Sequence, residues 1–221
     1  METMGNMEKQ TGTMSNLPFV SQIQPPVKSW YIPVKRCLDL VFGLILGIFA
    51  LPIIAVFAVA VKLDSKGNAF YSQERVGYMG KLIKVTKLRS MRNDAERDSG
   101  AKWAEKDDPR VTRVGSFMRK TRIDELPQIW SVVKGDMSFI GPRPERPELT
   151  EKFCHENPGF EQRLRIMPGL SGYAQVHGGY EITPGQKAIL DRYYIAHFSL
   201  KMDLLIIFET IRVVLTGDGA R

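Results

Sequence analysis

The stretch Arg119-Lys120-Thr121-Arg122-Ile123-Asp124-Glu125-Leu126-Pro127-Gln128 places two adjacent carboxylates directly after three basic residues. A proline is tolerated in a helix only near its start, where its missing N–H had no partner. Pro127 therefore predicts a helix beginning at about Asp124, with Asp124 as N-cap. That helix would run to Val133 and end on Gly135 as a left-handed C-cap. The amides of a helix N-terminus favour an anion and attract phosphate. Ionised Asp124 is an oxygen nucleophile toward phosphorus, and Arg119 and Arg122 can neutralise the phosphate oxygens that would repel it. Glu125 has the chemistry to orient a metal or move a proton. A plain helix cap with surface ion pairs fits the same spacing.

Three further motifs bear on that choice. In Gly141-Pro142-Arg143-Pro144 two prolines stiffen the backbone around one arginine. Less entropy is then lost when its guanidinium forks onto a phosphate. Lys87-Leu88-Arg89-Ser90-Met91 offers Lys87 and Arg89 on one face of a strand. Asp107-Asp108-Pro109 offers metal-ligand chemistry, but its composition fits a helix-leading turn better.

The elements that must carry these residues are legible in outline. The chain has 221 residues, 43% apolar and 25% charged, which excludes a disordered, collagen-like or disulfide-stapled protein. Cys37 and Cys154 read as two reduced thiols. The net charge is +7, and 19 basic against 13 acidic residues between Lys62 and Glu148 hold +6 of it. Such a balance suits anionic partners. Residues 1–29 read as a polar, flexible tail without a signal peptide's basic-then-apolar start.

Leu40 to Val61 contains no charged or strongly polar residue. As a helix it would measure about 33 Å, enough for a bilayer core of ~30 Å. Pro52 sits mid-run and should kink or break it, leaving two pieces too short to span. Lys28, Lys35 and Arg36 precede the run, and Lys62, Lys66 and Arg75 follow it. No single cytoplasmic end is therefore indicated. A hairpin that dips in and returns fits these flanks; a kinked, spanning helix is the alternative.

Beyond it, Ala69–Gln73 and Leu82–Lys87 have strand patterns around turn signals at Gly77 and Gly80. Gly115–Arg122 and Glu125–Val133 read as helices, as do Pro147–Asn157, Thr183–Phe198 and Ser199–Leu215. Pro168–Gly172 is a turn, and Tyr173–His177 is expected as a short strand. The last helix is amphipathic and suited to a membrane surface.

The sequence resembles the bacterial sugar transferase family, the monotopic phosphoglycosyl transferases. The resemblance rests on Lys35-Arg36-Cys37-Leu38-Asp39; Gln73-Glu74-Arg75-Val76-Gly77; Lys87-Leu88-Arg89-Ser90-Met91; Asp107-Asp108-Pro109-Arg110-Val111-Thr112; Arg122-Ile123-Asp124-Glu125-Leu126-Pro127-Gln128; Lys134-Gly135-Asp136-Met137-Ser138-Phe139-Ile140-Gly141-Pro142-Arg143-Pro144; and Pro168-Gly169-Leu170-Ser171-Gly172-Tyr173-Ala174-Gln175-Val176. It covers roughly residues 32–220.

The resemblance implies an enzyme that moves a sugar 1-phosphate from a UDP-sugar to polyprenol (undecaprenyl) phosphate. The aspartate of the Asp-Glu pair takes the sugar phosphate covalently and UMP leaves. Such a step initiates exopolysaccharide, capsule or glycoconjugate synthesis. Asp124 matches the nucleophile and Glu125 its partner. Lys87, Arg119, Arg143, Pro144 and Gln175 are the expected substrate-binding residues. Mg²⁺ is the implied cofactor, with Asp124 as its candidate ligand.

The expected fold is α+β and mostly helical. Residues 30–66 would form a re-entrant membrane helix-break-helix, bent at Leu51-Pro52. Residues 67–221 would form a catalytic domain with a small β element and surface amphipathic helices. The implied location is the cytoplasmic face of the inner or plasma membrane, in contact with lipid; the oligomeric state stays open, a homodimer included. Met167 and His177-Gly178-Gly179 depart from the commonest family pattern, so the sugar is left unassigned. A membrane-bound, metal-dependent glycosyltransferase would need an Asp-x-Asp motif in a nucleotide-binding fold with a glycine-rich βαβ signature, and that signature is absent. No helix-turn-helix spacing or stacking platform supports a nucleic-acid partner.

Overall fold

The computed structural model describes residues 17–95, 108–178 and 182–216. These residues are mostly helical, with two small two-stranded sheets, an α+β arrangement. The longest element is α1 (Tyr31–Asp64), and its helical backbone continues through Pro52. The expected division into two helices does not occur. A proline removes one N–H and crowds the preceding turn, which a long helix can absorb locally.

One stripe of α1 is buried. Asp39, Gly43, Ala50 and Val61 lie on it, with Ile54, Phe57 and Ala58 packing near Leu88 and Met118. The three- and four-residue steps are those of a single helix face. Both ends of α1 are tied to the same body of the protein. At its start, Lys35 Nζ donates to Asp203 (2.5 Å), and Tyr31 Oη donates to the same oxygen (2.8 Å). Arg36 donates to the carbonyls of Val132 (2.6 Å) and Val133 (2.7 Å). Asp39 accepts from the Phe139 amide (3.1 Å). Past its end, Arg89 donates to the carbonyls of Ser65 (2.8 Å) and Lys66 (2.5 Å). The opposite face is bare: Ile48, Phe49 and Leu51 are each more than 60% exposed. Phe117, Trp130, Leu204, Phe208 and Ile211 add to the exposed apolar surface.

Strands β1 (Phe70–Val76) and β2 (Leu82–Leu88) form an antiparallel hairpin in the register Phe70↔Leu88 to Val76↔Leu82. Alternation in β2 turns Ile83 and Val85 into a core with Val132 and Met137. Lys87 continues that row. Next come α2 (Arg113–Lys120), a 3-10 turn (Ile123–Gln128) and α3 (Ile129–Lys134). Thr112 caps α2 by accepting from the Gly115 amide (3.0 Å). Gly115 lies against the Ser90 backbone so closely that a Cβ would overlap it.

Strands β3 (Ser138–Ile140) and β4 (Gly169–Ser171) pair in parallel. The helices α4 (Pro147–Glu156), α5 (Tyr173–His177), α6 (Pro184–Ala196) and α7 (Leu200–Thr216) complete the described chain. The segment Tyr173–His177, expected as a strand, is one helical turn. Tyr173 and His177 stack across it with ring centroids 4.0 Å apart, an i,i+4 contact that helical geometry provides.

Residues 17–29 are not a free tail. Phe19 is buried against Val76 and Leu164. The remainder of the expected tail, residues 1–16, lies outside the described residues.

Candidate active site

Asp124 is 6% exposed. It is the second residue of the 3-10 turn, not a helix cap, and α3 begins only at Ile129. The expected single helix from Asp124 to Val133 is thus split, although Gly135 does close it in the left-handed conformation (φ 89°). Arg122, just before the turn, also adopts left-handed backbone (φ 58°). That conformation costs a non-glycine residue about 1–2 kcal/mol and is found where the fold over-determines it. It folds α2 back so that Asp124 and Glu125 meet β2. The positive charge around Asp124 therefore comes from side chains rather than from a helix N-terminus.

Glu125 organises those side chains. It accepts from Lys87 Nζ (2.8 Å) and from the Arg143 guanidinium. Burial alone would raise its pKa; Arg143 and then Lys87 overturn this and hold it well below the usual carboxylate range. Asp124 is pushed the other way. Burial raises its pKa, Lys87 opposes that, and the neighbouring Glu125 charge adds to the rise. Two adjacent carboxylates are thus driven apart, a pattern that separates chemical roles. Glu125 is committed to two cations, which leaves it ill-suited to carry a proton. Asp124 Oδ1 is buried and has no hydrogen-bond partner. A buried, unpaired carboxylate oxygen is costly unless a ligand, ion or water meets it.

The other predicted residues gather around this pair. Lys87 lies at the end of the inward row of β2; burial lowers its pKa, with Glu125 opposing. Arg119 is near enough for its charge to favour ionised Asp124. Arg143 Nη1 and Gln175 Nε2 both donate to the Leu170 carbonyl (3.0 Å each), which brings Gln175 beside the arginine. The Oε1 atom of Gln175 is also buried without a partner. Pro144 is buried, and its carbonyl accepts from Arg75 (3.2 Å). Arg89 is not in this cluster; it serves the end of α1 instead. Asp108 grips the Arg110 guanidinium (2.6 and 2.9 Å) and accepts from the Arg110 amide (3.0 Å), so it forms a turn. Its neighbour Asp107 lies outside the described residues.

Glycine makes the loop around Arg143 possible. A Cβ at Gly141 would strike the Met167 carbonyl, and one at Gly169 or Gly172 would strike Gly141. Without side chains there, Gly141 donates to the Ser171 carbonyl (2.8 Å) and Gly169 to the Pro142 carbonyl (3.0 Å). The two glycine-proline motifs lock together, and Arg143 leaves that lock aimed at Glu125.

Behind Arg143 lies a buried ion network that sequence reasoning missed. Arg163 joins Asp191 (Nε to Oδ2, 2.8 Å) and also donates to the Arg143 carbonyl (2.8 Å). Lys187 pairs with Glu145, and Arg75 lies 3.7 Å from the same carboxylate. These residues are far apart in sequence and sit among other charged residues, so no periodicity marked them as buried. Gln128, at the end of the same 3-10 turn as Asp124, has a buried Nε2 that lacks a partner.

No group of three or more His, Cys, Asp or Glu among the described residues could form an all-protein metal cage. Magnesium does not need one: it commonly takes one or two carboxylates plus substrate phosphates and water. The unpaired oxygen of Asp124 fits that mode.

A family model described as bacterial sugar transferase matches residues 30–217. A Bacillus subtilis (strain 168) protein, provisionally named as an undecaprenyl-phosphate N-acetylgalactosaminyl 1-phosphate transferase, is 61% identical over 134 residues, which is 61% of this chain and 74% of that protein. The UDP-N-acetylgalactosamine-undecaprenyl-phosphate N-acetylgalactosaminephosphotransferase of Aeromonas hydrophila is 44% identical over 194 residues, 86% of this chain and 46% of its own. The UDP-glucose:undecaprenyl-phosphate glucose-1-phosphate transferase of Escherichia coli (strain K12) is 34% identical over 214 residues, 95% of this chain and 46% of its own. The chain spans about half the length of the latter two relatives. A match over nearly the whole described chain, including both halves of the Asp124 site, means that this protein belongs to the bacterial sugar transferase family.

Proposed function

We propose that the chain transfers a sugar 1-phosphate from a UDP-sugar to undecaprenyl phosphate through a covalent intermediate on Asp124, releasing UMP. The observation that carries this reading is the unpaired, buried Oδ1 of Asp124 beside the cations that Glu125 holds in place. The relatives' names supply the substrate pair. Those names differ in the sugar, and the chain's own sugar is left open.

An Asp124 oxygen attacks the sugar-bearing phosphorus of the donor. The bond from that phosphorus to the bridging oxygen breaks, and UMP leaves with the electron pair. An oxygen of the lipid phosphate then attacks the same phosphorus and expels the carboxylate, giving polyprenyl diphosphate sugar. Neither displacement requires a proton, so Glu125 can remain ionised throughout. Lys87, Arg119 and Arg143 offset the charge that gathers on the phosphate oxygens. Magnesium, held by Asp124 with substrate phosphates, would neutralise the diphosphate further.

The same reading places the protein on the cytoplasmic membrane face as a monotopic enzyme. Its support is that α1 is bare and apolar on one side while both ends return to one body. A lipid phosphate held at the bilayer surface could then reach Asp124 without leaving its membrane.

The test is single-turnover UMP release. With Mg²⁺, a panel of UDP-sugars and no lipid, one equivalent of UMP should appear and the protein should gain one sugar phosphate by intact mass. Asp124→Asn should lose both signals, with multiple-turnover activity falling by several orders of magnitude. Intersecting-line kinetics with no adduct would instead make the lipid phosphate the direct attacker and Asp124 a metal ligand or base.

A further inference from the structure

Residues 17–29 lie across the domain as a pinned strap. Phe19 sits in a short 3-10 turn (Pro18–Gln22) and is 3% exposed, packed with Val76 and Leu164. Val20 rests on Gly80, where an added Cβ would come within 2.7 Å of it. Five hydrogen bonds then fasten the strap to residues 162–165. The Gln24 amide donates to Gln162 Oε1 (3.1 Å), and Gln162 Nε2 donates to the Gln22 carbonyl (2.9 Å). Arg165 donates to the Pro25 carbonyl (2.8 Å) and to Gln24 Oε1 (3.0 Å). The Val27 amide donates to the Arg165 carbonyl (3.1 Å).

The two residues beneath Phe19 adjoin the groups that hold the Arg143 loop. Arg163, next to Leu164, donates to the carbonyl of Arg143 (2.8 Å). Arg75, next to Val76, donates to the carbonyl of Pro144 (3.2 Å). The Val76 amide donates to the carbonyl of Glu145 (2.8 Å). Three successive carbonyls are thus held by residues that the Phe19 plug packs or adjoins. Their positions fix where the Arg143 side chain starts, and hence where its guanidinium meets Glu125.

We propose that residues 17–29 are an intramolecular clamp that positions Arg143 for the donor diphosphate, acting through Arg163, Arg75 and Val76. This rests on the reading of Arg143 as a phosphate-binding group of the transferase. Arg163 and Arg75 are positioning residues in this scheme. Freed of the plug, Val76 and Leu164 can shift, and the arginine loses its preset geometry while keeping its charge.

The probe is UDP, titrated calorimetrically into the full chain in detergent with Mg²⁺. Phe19→Ala should weaken UDP about tenfold, within the range of coupling through shared contacts. Phe19→Leu should restore most of the affinity. In an Arg143→Ala chain the same Phe19→Ala change should alter UDP affinity by less than about twofold, because the group being positioned is gone. General loosening of the fold would instead give equal losses in both backgrounds, and that result overturns the clamp. Should Phe19→Ala not yield folded protein, Arg165→Met cuts two of the pins and leaves the plug; a smaller loss with the same dependence on Arg143 is expected. Wild-type affinity in both Phe19→Ala and Arg165→Met also overturns it. A wild-type chain that binds no UDP would overturn the nucleotide-donor reading, and the clamp's role with it.

Discussion

Replacing Glu145 by Gln removes the negative centre of the buried network behind Arg143 while keeping the side chain's size. Its carboxylate pairs with Lys187, and the Arg75 guanidinium is 3.7 Å away. Burial alone would raise its pKa; Lys187, then Arg163 and Arg75, bring it down from the ordinary 4.5 to about 2. That gap corresponds to roughly 3 kcal/mol of stabilisation, at about 1.4 kcal/mol per tenfold change in proton affinity. Loss of one partner from a buried pair independently suggests about 3–5 kcal/mol. For a chain of this size, roughly 3 kcal/mol should lower the melting temperature by about 6–12 °C.

The measurement is thermal unfolding in detergent at neutral pH, repeated on Glu145→Gln/Lys187→Met. The double variant removes the stranded ammonium and should recover much of the loss. The pH dependence has a fixed sign. The folded-state pKa lies below the unfolded one, so this stabilisation is complete above about pH 4.5 and drains away as the pH falls toward 2. Glu145→Gln should flatten that part of the acid-unfolding curve. A melting temperature within about 2 °C of wild type, or a double variant no better than the single, would refute the reasoning.

Burial raises the pKa of Asp124, so in the magnesium-free protein its carboxylate should take up a proton above the ordinary value of 3.8, read as the carboxyl shift in an NMR titration that is absent from Asp124→Asn; a midpoint at or below that value would contradict the burial argument. Asp203 accepts from Tyr31 (2.8 Å), Lys35 (2.5 Å) and Tyr194 (2.7 Å); Asp203→Asn should destabilise by about 3–5 kcal/mol, read as a lower melting temperature, and an unchanged one would show that α1 is held elsewhere. In a chain freed of Cys37 and Cys154, cysteines at Gln24 and Ser72 should both be shielded from an impermeant thiol reagent in intact cells, whereas labelling at only one would establish a spanning α1.

Much of the site was readable as chemistry before any fold was known. Adjacent carboxylates after a run of cations, an arginine between prolines, and an apolar run with a central proline are local patterns, and their meaning is set by residue type and spacing. The helices α2, α4, α6 and α7 and the strand patterns of β1 and β2 are legible in residue type and turn signals for the same reason, whereas the antiparallel pairing of the two strands is not. Only the tertiary structure decided what lay between them. Periodicity did not indicate that α1 continues through Pro52, because a proline's local cost is weighed against the bonds of the whole helix. The segment Tyr173–His177 is a helical turn in which the rings of its two end residues stack.

The division of labour within the Asp-Glu pair was also invisible in sequence. Two neighbouring carboxylates differ only through what surrounds them: Lys87 lies 38 residues from Glu125, and Arg143 lies 18 residues away. The strap and the Arg163–Asp191 and Glu145–Lys187 pairs were missed because a charged or polar residue looks alike in sequence whether water or a buried partner meets it. Side-chain type and local spacing determine what a segment can do; burial and long-range pairing, which depend on how distant segments pack, determine which of those capacities is used.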